Sequence, residues 1–169
     1  MRAAASPVVR SWIEETGSLT ARLRATCGAG FGVTVLRQDW RRPFAGEAHI
    51  LNLGRGQGAL VREVVLHCAG RPLIVARSVI PRATLRRTHR RLAHLGNRPL
   101  GEWLFSHPGL VRLGLDVTVV GADRWGPALA KEFGLGGGVW GRRSVYEIAE
   151  GRVLVCEFFL PAIATLVSP

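Results

Sequence analysis

Two stretches of this chain constrain its fold more than anything else in it. QGALVREVVLHCAGRPLIVARSVIP (57–81) holds two strand-length apolar runs around Ala69, Gly70 and Arg71, a compact hairpin signal. VWGRRSVYEIA and RVLVCEFFLP repeat the pattern across Glu150 and Gly151. In RVLVCEFFLP the period of two puts Val153, Val155, Glu157 and Phe159 on one face and Leu154, Cys156, Phe158 and Leu160 on the other. Both faces are apolar, so these are interior strands of a sheet that is covered on both sides.

Two of these interior strands each carry a charge where none is expected. Glu157 interrupts an otherwise apolar run, and Arg62 shares a face with Leu60, Val64 and Leu66. A buried carboxylate or guanidinium is costly unless it is paired or has a ligand. Two readings follow. Arg62 and Glu157 could form a buried structural ion pair, which contributes little net stability because desolvation offsets the attraction. Alternatively they stand apart with a ligand between them. The arginine fork then suits a carboxylate, and the enclosed glutamate suits a hydroxyl or a proton. Spacing alone leaves both open.

The rest of the chain reads as helices grouped around strands. Ser6-Pro7 starts a helix, Ser18 caps a second (LTARLRATC) that ends at Gly28, and FGVTVLRQDW (31–40) is a strand. Residues 41–56, with Pro43 and three glycines, read as a loop. RATLRRTHRRLAHLGNR (82–98) reads as an amphipathic helix inward on Leu85, Leu92 and Leu95, stopping before Gly96. PLGEWLF (99–105) is a short helix or turn, GLDVTVVGAD (114–123) a strand, and WGPALAKEFGLGGG (125–138) helical and then Gly-rich. The expected class is α+β, with one antiparallel sheet in a single domain spanning residues 1–169.

Charge and cysteine content narrow the function. The formal net charge is +11, and only Lys131 among the cations is not arginine. The arginines are scattered through strands and loops, so a solvated basic face is a plainer reading than a phosphate-tracking surface. An RNA-binding protein would need clustered surface aromatics, and the five tryptophans read as mostly buried. Cys27, Cys68 and Cys156 are widely spaced and odd in number, which reads as small core residues rather than a disulfide framework or a zinc site. The histidines show no metal-ligand spacing, so no metal is expected. GLGGGVWG lacks a dinucleotide fingerprint. No apolar run reaches the roughly 20 residues that cross a bilayer. The N-terminus has no signal-peptide core, so a mature cytoplasmic protein is expected.

REVVLHCAGRPLIVARSVIPRATL, LGNRPLGEWLF and VWGRRSVYEIAEGRVLVCEFFLPA, in this order and spacing, closely resemble the chorismate pyruvate-lyase family. The likeness covers about residues 57–105 and 139–162 and is fainter at GSLTARL (17–23). It implies an enzyme that eliminates pyruvate from chorismate to leave 4-hydroxybenzoate, a ubiquinone precursor, without a cofactor. It also implies an antiparallel sheet with helical flaps, 1–28 among them, over an internal pocket. By that resemblance Arg62 holds the ring carboxylate and Glu157 meets the ring hydroxyl. Leu100 and Leu19 offer backbone N–H groups. Arg77 or Arg142 is the candidate for the enolpyruvyl carboxylate, with structural pairing to Glu147, Glu63 or a backbone carbonyl the other reading of Arg142 and Arg143. Residues 106–138 exceed the family pattern and read as an insertion. The expected partners are substrate and product alone, with a monomeric chain, no nucleic acid and no membrane span. The rival reading is a non-catalytic small-acid module, like the effector domains of some transcription regulators. Such proteins carry an N-terminal DNA-binding domain, and fewer than about 30 residues precede the first strand here.

Overall fold

The computed structural model describes residues 4–87, 90–121, 131–149 and 151–166. Its framework is a single antiparallel sheet of six strands: β1 (Phe31–Arg41), β2 (Ala59–Cys68), β3 (Arg71–Pro81), β4 (Val111–Val120), β5 (Val139–Ile148) and β6 (Gly151–Phe159). Their order is β1-β2-β3-β6-β5-β4. The two hairpins expected from sequence, β2–β3 and β5–β6, form the centre, and β1 and β4 are the edges. The β2–β3 turn places Ala69 and Gly70 at φ 49° and 77°. A two-residue turn with both φ positive matches the twist of the flanking strands.

Helices α1 (Pro7–Ile13), α2 (Leu19–Cys27), α4 (Arg82–Arg87) and α5 (Leu100–Phe105) pack over one face, called the front. Ser6 and Ser18 cap α1 and α2 by accepting from the N–H groups of Val9 and Ala21. These caps satisfy donors that have no partner within the helix. Gly28 ends α2 at φ 54°, a conformation that disfavours other residues.

The front core has two parts. Trp12, Leu19 and Leu23 pack on Leu66, Ile74 and Phe159 at one end of the sheet. Leu85, Leu92, Leu95, Leu100 and Leu104 pack on Leu60, Ile80, Ile148 and Val153 at the other.

Three expectations about the elements are corrected, and a fourth lies partly outside the described residues. The 41–56 stretch contains a helix, α3 (Ala45–Ile50), on the back of the sheet. It is held because Glu47 accepts from the Phe44 N–H at 2.9 Å and is clamped by Arg77 of β3. The single helix expected over 82–95 is divided into α4 and a 3-10 turn at Arg90–His94, with Leu85, Leu92 and Leu95 buried as expected. The strand expected at 114–123 begins earlier and spans Val111–Val120. Of the stretch expected to be helical and then Gly-rich over 125–138, residues 125–130 lie outside the described residues.

Cys27 and Cys68 are not separate core residues. They form a disulfide with Cα atoms 5.7 Å apart, tying the end of α2 to the end of β2. A pairing 41 residues apart leaves no local sequence signal. Nor are the described tryptophans mostly buried: Trp12 is enclosed, while Trp40 is 47% exposed beneath the Arg82 guanidinium.

A closed cavity on the front of the sheet

The site is built from the pleat upward. Arg62 on β2 faces Ser78 on β3, and Ser78 faces Val155 on β6. Two residues along, Val64 faces Ala76, and Ala76 faces Glu157. Arg62 and Glu157 thus sit on the same face, two strands and one side-chain step apart. Strand spacing and rise put their Cα atoms roughly 12 Å from each other. The strand between them offers only Ala76 and Ser78, whose small side chains leave a hollow.

That hollow is a cavity of about 40 Å³. Arg62, Val64, Ala76, Ser78, Val155 and Glu157 form its floor. Ser18, Leu19 and Thr20 at the start of α2 and Pro99, Leu100 and Gly101 at the start of α5 roof it. So the structure brings Arg62, Glu157, Leu19 and Leu100 together around one space. Leu19 and Leu100 are each the first residue of a helix, where a backbone N–H has no acceptor within the helix. The two helices meet closely, since a Cβ on Gly101 would lie 2.7 Å from Thr20 Oγ1.

Arg62 is 2% exposed. Its Nη1 donates to Gln38 Oε1 at 2.7 Å, and its Nη2 donates to the carbonyls of Gly96 at 2.7 Å and Arg98 at 3.0 Å. All three acceptors are neutral, and among the described residues no carboxylate pairs with it. Burial without a counter-charge pulls its pKa below the ordinary value for arginine.

Glu157 does have a charged partner, but it is Arg142 of β5, with Nε–Oε2 2.6 Å. The direct Arg62–Glu157 pair, one of the two readings of the sequence, is therefore absent. Arg142 also donates from Nη1 to the backbone carbonyls of Ile13, at 3.2 Å, and Glu15, at 2.6 Å. Backbone pairing of Arg142 was one expectation, but Glu157 was not among its expected acid partners. Counting back from a turn at Glu150 and Gly151 would set Ser144 opposite Glu157, but the strands pair with Ile148 opposite Gly151, which sets Arg142 there. Arg143 turns to the other face and pairs with Asp116 of β4 at 2.7 Å.

Arg77 lies on the back of the sheet and is no part of this cavity. It is clamped between Glu47 of α3 and Glu63 of β2, with N–O distances of 2.6 Å to each. Burial pulls its pKa down, and the hydrogen bonds and charges of Glu47 and Glu63 more than reverse this, leaving it raised. Sequence reading also passed over Tyr146, which lines the cavity and receives a 2.7 Å bond on its hydroxyl from Arg112 Nη2.

The chorismate lyase family pattern matches residues 2–168. The chain is 51% identical over 158 residues to a probable chorismate pyruvate-lyase of Methylococcus capsulatus, covering 94% of this chain and 98% of that one. It is 41% identical to another from Dechloromonas aromatica, over 95% and 90% of the two chains. Among solved structures, PhnF from Mycobacterium smegmatis superposes with a TM-score of 0.62 at 15% identity, covering 91% of this chain and 68% of that one. The ligand-binding domain of a GntR-family regulator from Bordetella bronchiseptica superposes with a TM-score of 0.59 at 17% identity, over 78% and 84%. These last two likenesses are of fold.

Proposed function

The chain belongs to the chorismate lyase family, and on that premise we propose that it eliminates pyruvate from chorismate to leave 4-hydroxybenzoate, with Arg62 and Glu157 as the two poles of the site. One observation carries the reading: a buried guanidinium with only neutral partners shares a closed cavity with a carboxylate. Arg62, Arg142 and Glu157 together leave one positive charge uncompensated. A ring carboxylate seated on Arg62 supplies the missing charge and gives the fork a planar acceptor. The hydroxyl across the ring then faces Glu157, on the oxygen not bonded to Arg142. Backbone N–H groups of Leu19 and Leu100 close over the carboxylate from the roof.

In the reaction, the ring carbon bearing the hydroxyl loses its proton and the electron pair enters the ring. The bond from the neighbouring carbon to the ether oxygen breaks, and enolpyruvate leaves and is protonated at carbon to give pyruvate. Aromatisation drives the step, so the site needs only to orient the ring, exclude water and accept one proton. Glu157 is the group placed to accept it or to hold the hydroxyl while it leaves. Arg77, on the far face, takes no part, and the Arg142 Nε and Nη1 groups are already engaged. A disubstituted ring needs more room than about 40 Å³, so α2 or α5 must lift to admit it and to release product.

No helix among the described residues is long and apolar enough to cross a membrane. We place the enzyme in the cytoplasm as a monomer feeding ubiquinone synthesis. There, thiol-reducing conditions would favour the dithiol form of Cys27 and Cys68.

The test is direct. Purified protein with chorismate and a chelator should release pyruvate and 4-hydroxybenzoate in equal amounts. Tight binding of 4-hydroxybenzoate without any pyruvate would instead support a ligand-sensing module. A dependence on added divalent metal would overturn the mechanism.

A further inference from the structure

We propose that Arg142 is a positioning residue that locks the orientation of Glu157 to the closed state of the α1–α2 lid. The proposal rests on the reading of Glu157 given above and concerns how that residue is held. The Arg142 side chain reaches in two directions at once. Nε binds Glu157 Oε2 at 2.6 Å, and Nη1 binds the carbonyls of Ile13 and Glu15 at 3.2 and 2.6 Å. Ile13 is the last residue of α1, so its carbonyl lacks an acceptor role within the helix. Arg142 is 2% exposed, and water cannot easily take over either bond.

The segment it grips leads straight to the roof. The Gly17 N–H donates to Glu15 Oε1 at 2.8 Å, and Arg22 of α2 donates to the Ser11 carbonyl and hydroxyl. The chain from Ile13 to Ser18 is thereby stiffened, and Ser18, Leu19 and Thr20 follow it over the cavity. Lifting this lid must either break the two carbonyl bonds or draw the guanidinium with it. In the first case Glu157 keeps a partner that is no longer anchored, and in the second it loses that partner, so its carboxylate is held in place only when the lid is down. With Oε2 taken by Arg142, Oε1 is the oxygen presented to the ligand.

A plain counter-ion would need only positive charge. Serving a carboxylate and two carbonyls in divergent directions needs the planar fork. Arg142→Lys separates the two roles. It keeps the charge beside Glu157 and should stay folded, while losing the reach to Ile13 and Glu15. We expect kcat to fall about tenfold to a hundredfold through misplacement of the carboxylate, with KM changing far less. Hydrogen exchange of residues 14–20 should then be fast even at saturating 4-hydroxybenzoate, whereas the parent should be protected by product.

If Arg142→Lys matches the parent in kcat and in protection, the lock does not exist. Should that variant fail to fold, Glu157→Gln tests the same tie from the other end. At saturating product, its residues 14–20 should exchange faster than the parent's, and parent-like protection would overturn the proposal. A parent that forms no pyruvate would defeat the lyase reading. The exchange comparison would still decide whether Arg142 ties the lid to Glu157.

Discussion

On the front of the sheet, Arg62 is buried with three neutral oxygens for partners. On the back, Arg77 is buried between the carboxylates of Glu47 and Glu63. The two arginines lie on adjacent strands, β2 and β3, and both project from the middle of the sheet. Their surroundings differ in charge balance and in enclosure. The front cavity is narrow and roofed by two helices, and among the described residues it lacks one negative charge. The back cleft is open, with a cavity volume of about 1070 Å³, yet its arginine is over-neutralised. Volume therefore points away from the proposed site. What marks the proposed site is a desolvated cation whose counter-charge none of the described residues supplies, because such a group stays costly until a ligand arrives.

The largest effects should come from breaking the front. Arg62→Met should weaken 4-hydroxybenzoate binding by about 2–5 kcal/mol, the usual range for truncating one side of a buried charged pair. Arg62→Lys should recover part of this, since an ammonium keeps the charge and can still reach neighbouring carbonyls but has no fork. Glu157→Gln should keep its fold and lower kcat by about 10²–10⁴-fold if the carboxylate handles the proton. Calorimetric titration and pyruvate release measure the two. Parent-like product affinity in Arg62→Met would move the carboxylate site elsewhere.

The back should answer in stability instead. Arg77→Met strands Glu47 and Glu63 beside an apolar side chain and should cost about 3–5 kcal/mol in denaturant unfolding. Adding Glu47→Leu should recover much of that loss. Throughout, kcat/KM of the folded fraction should hold near the parent value. A drop in kcat/KM without loss of stability would make the back cleft part of the active site.

The contrast between faces was only half legible in the sequence. Arg62 and Glu157 stood out because a period-two apolar run makes any charge on it conspicuous. The four central strands were legible for the same reason. Arg77 lies in an equally apolar run, RPLIVARSVIP, but its partner Glu47 lies in AGEAHI, a short segment that reads as loop. Six residues cannot hold a helix by propensity alone, and α3 exists because Arg77 and the back core hold it. The Cys27–Cys68 link was hidden likewise, being a product of tertiary approach. The Arg142–Glu157 contact was hidden by register, since a turn expected two residues along the pairing, at Glu150 and Gly151, sets Ser144 rather than Arg142 opposite Glu157.

A smaller effect is expected at the roof, where the enclosure of the front can be loosened without touching its charges. A Cβ at position 101 would come within 2.7 Å of Thr20 Oγ1, and Thr20 is itself buried. Gly101→Ala should therefore disfavour the closed lid by about 1–3 kcal/mol, an overpacking cost, and speed product dissociation accordingly. Stopped-flow displacement of 4-hydroxybenzoate reads this directly. Combining it with Thr20→Ala should restore slow release, and unchanged release in the single variant would show that α2 and α5 do not form the gate.

The smallest response is expected from Cys156, which lies on β6 between Arg77 and Arg143 on the back of the sheet. Two arginines beside a thiol would ordinarily lower its pKa and make it reactive. Here burial dominates, the Glu47 charge adds to it, and the thiol is pushed up to about 12. A folded-state pKa above the unfolded value of about 8.5 means that the neutral thiol contributes stability fully below that pH. The contribution is then lost as pH rises toward 12. At pH 8 a soluble alkylating reagent should leave the native chain essentially unlabelled, despite the open cleft nearby. After unfolding without reductant one thiol should react, and after reduction all three, because Cys27 and Cys68 are joined. Fast labelling of the native chain at Cys156 would mean that burial, with the Glu47 charge beside it, does not hold the thiol neutral. The distinction between a balanced back and an unbalanced front would then have to be redrawn.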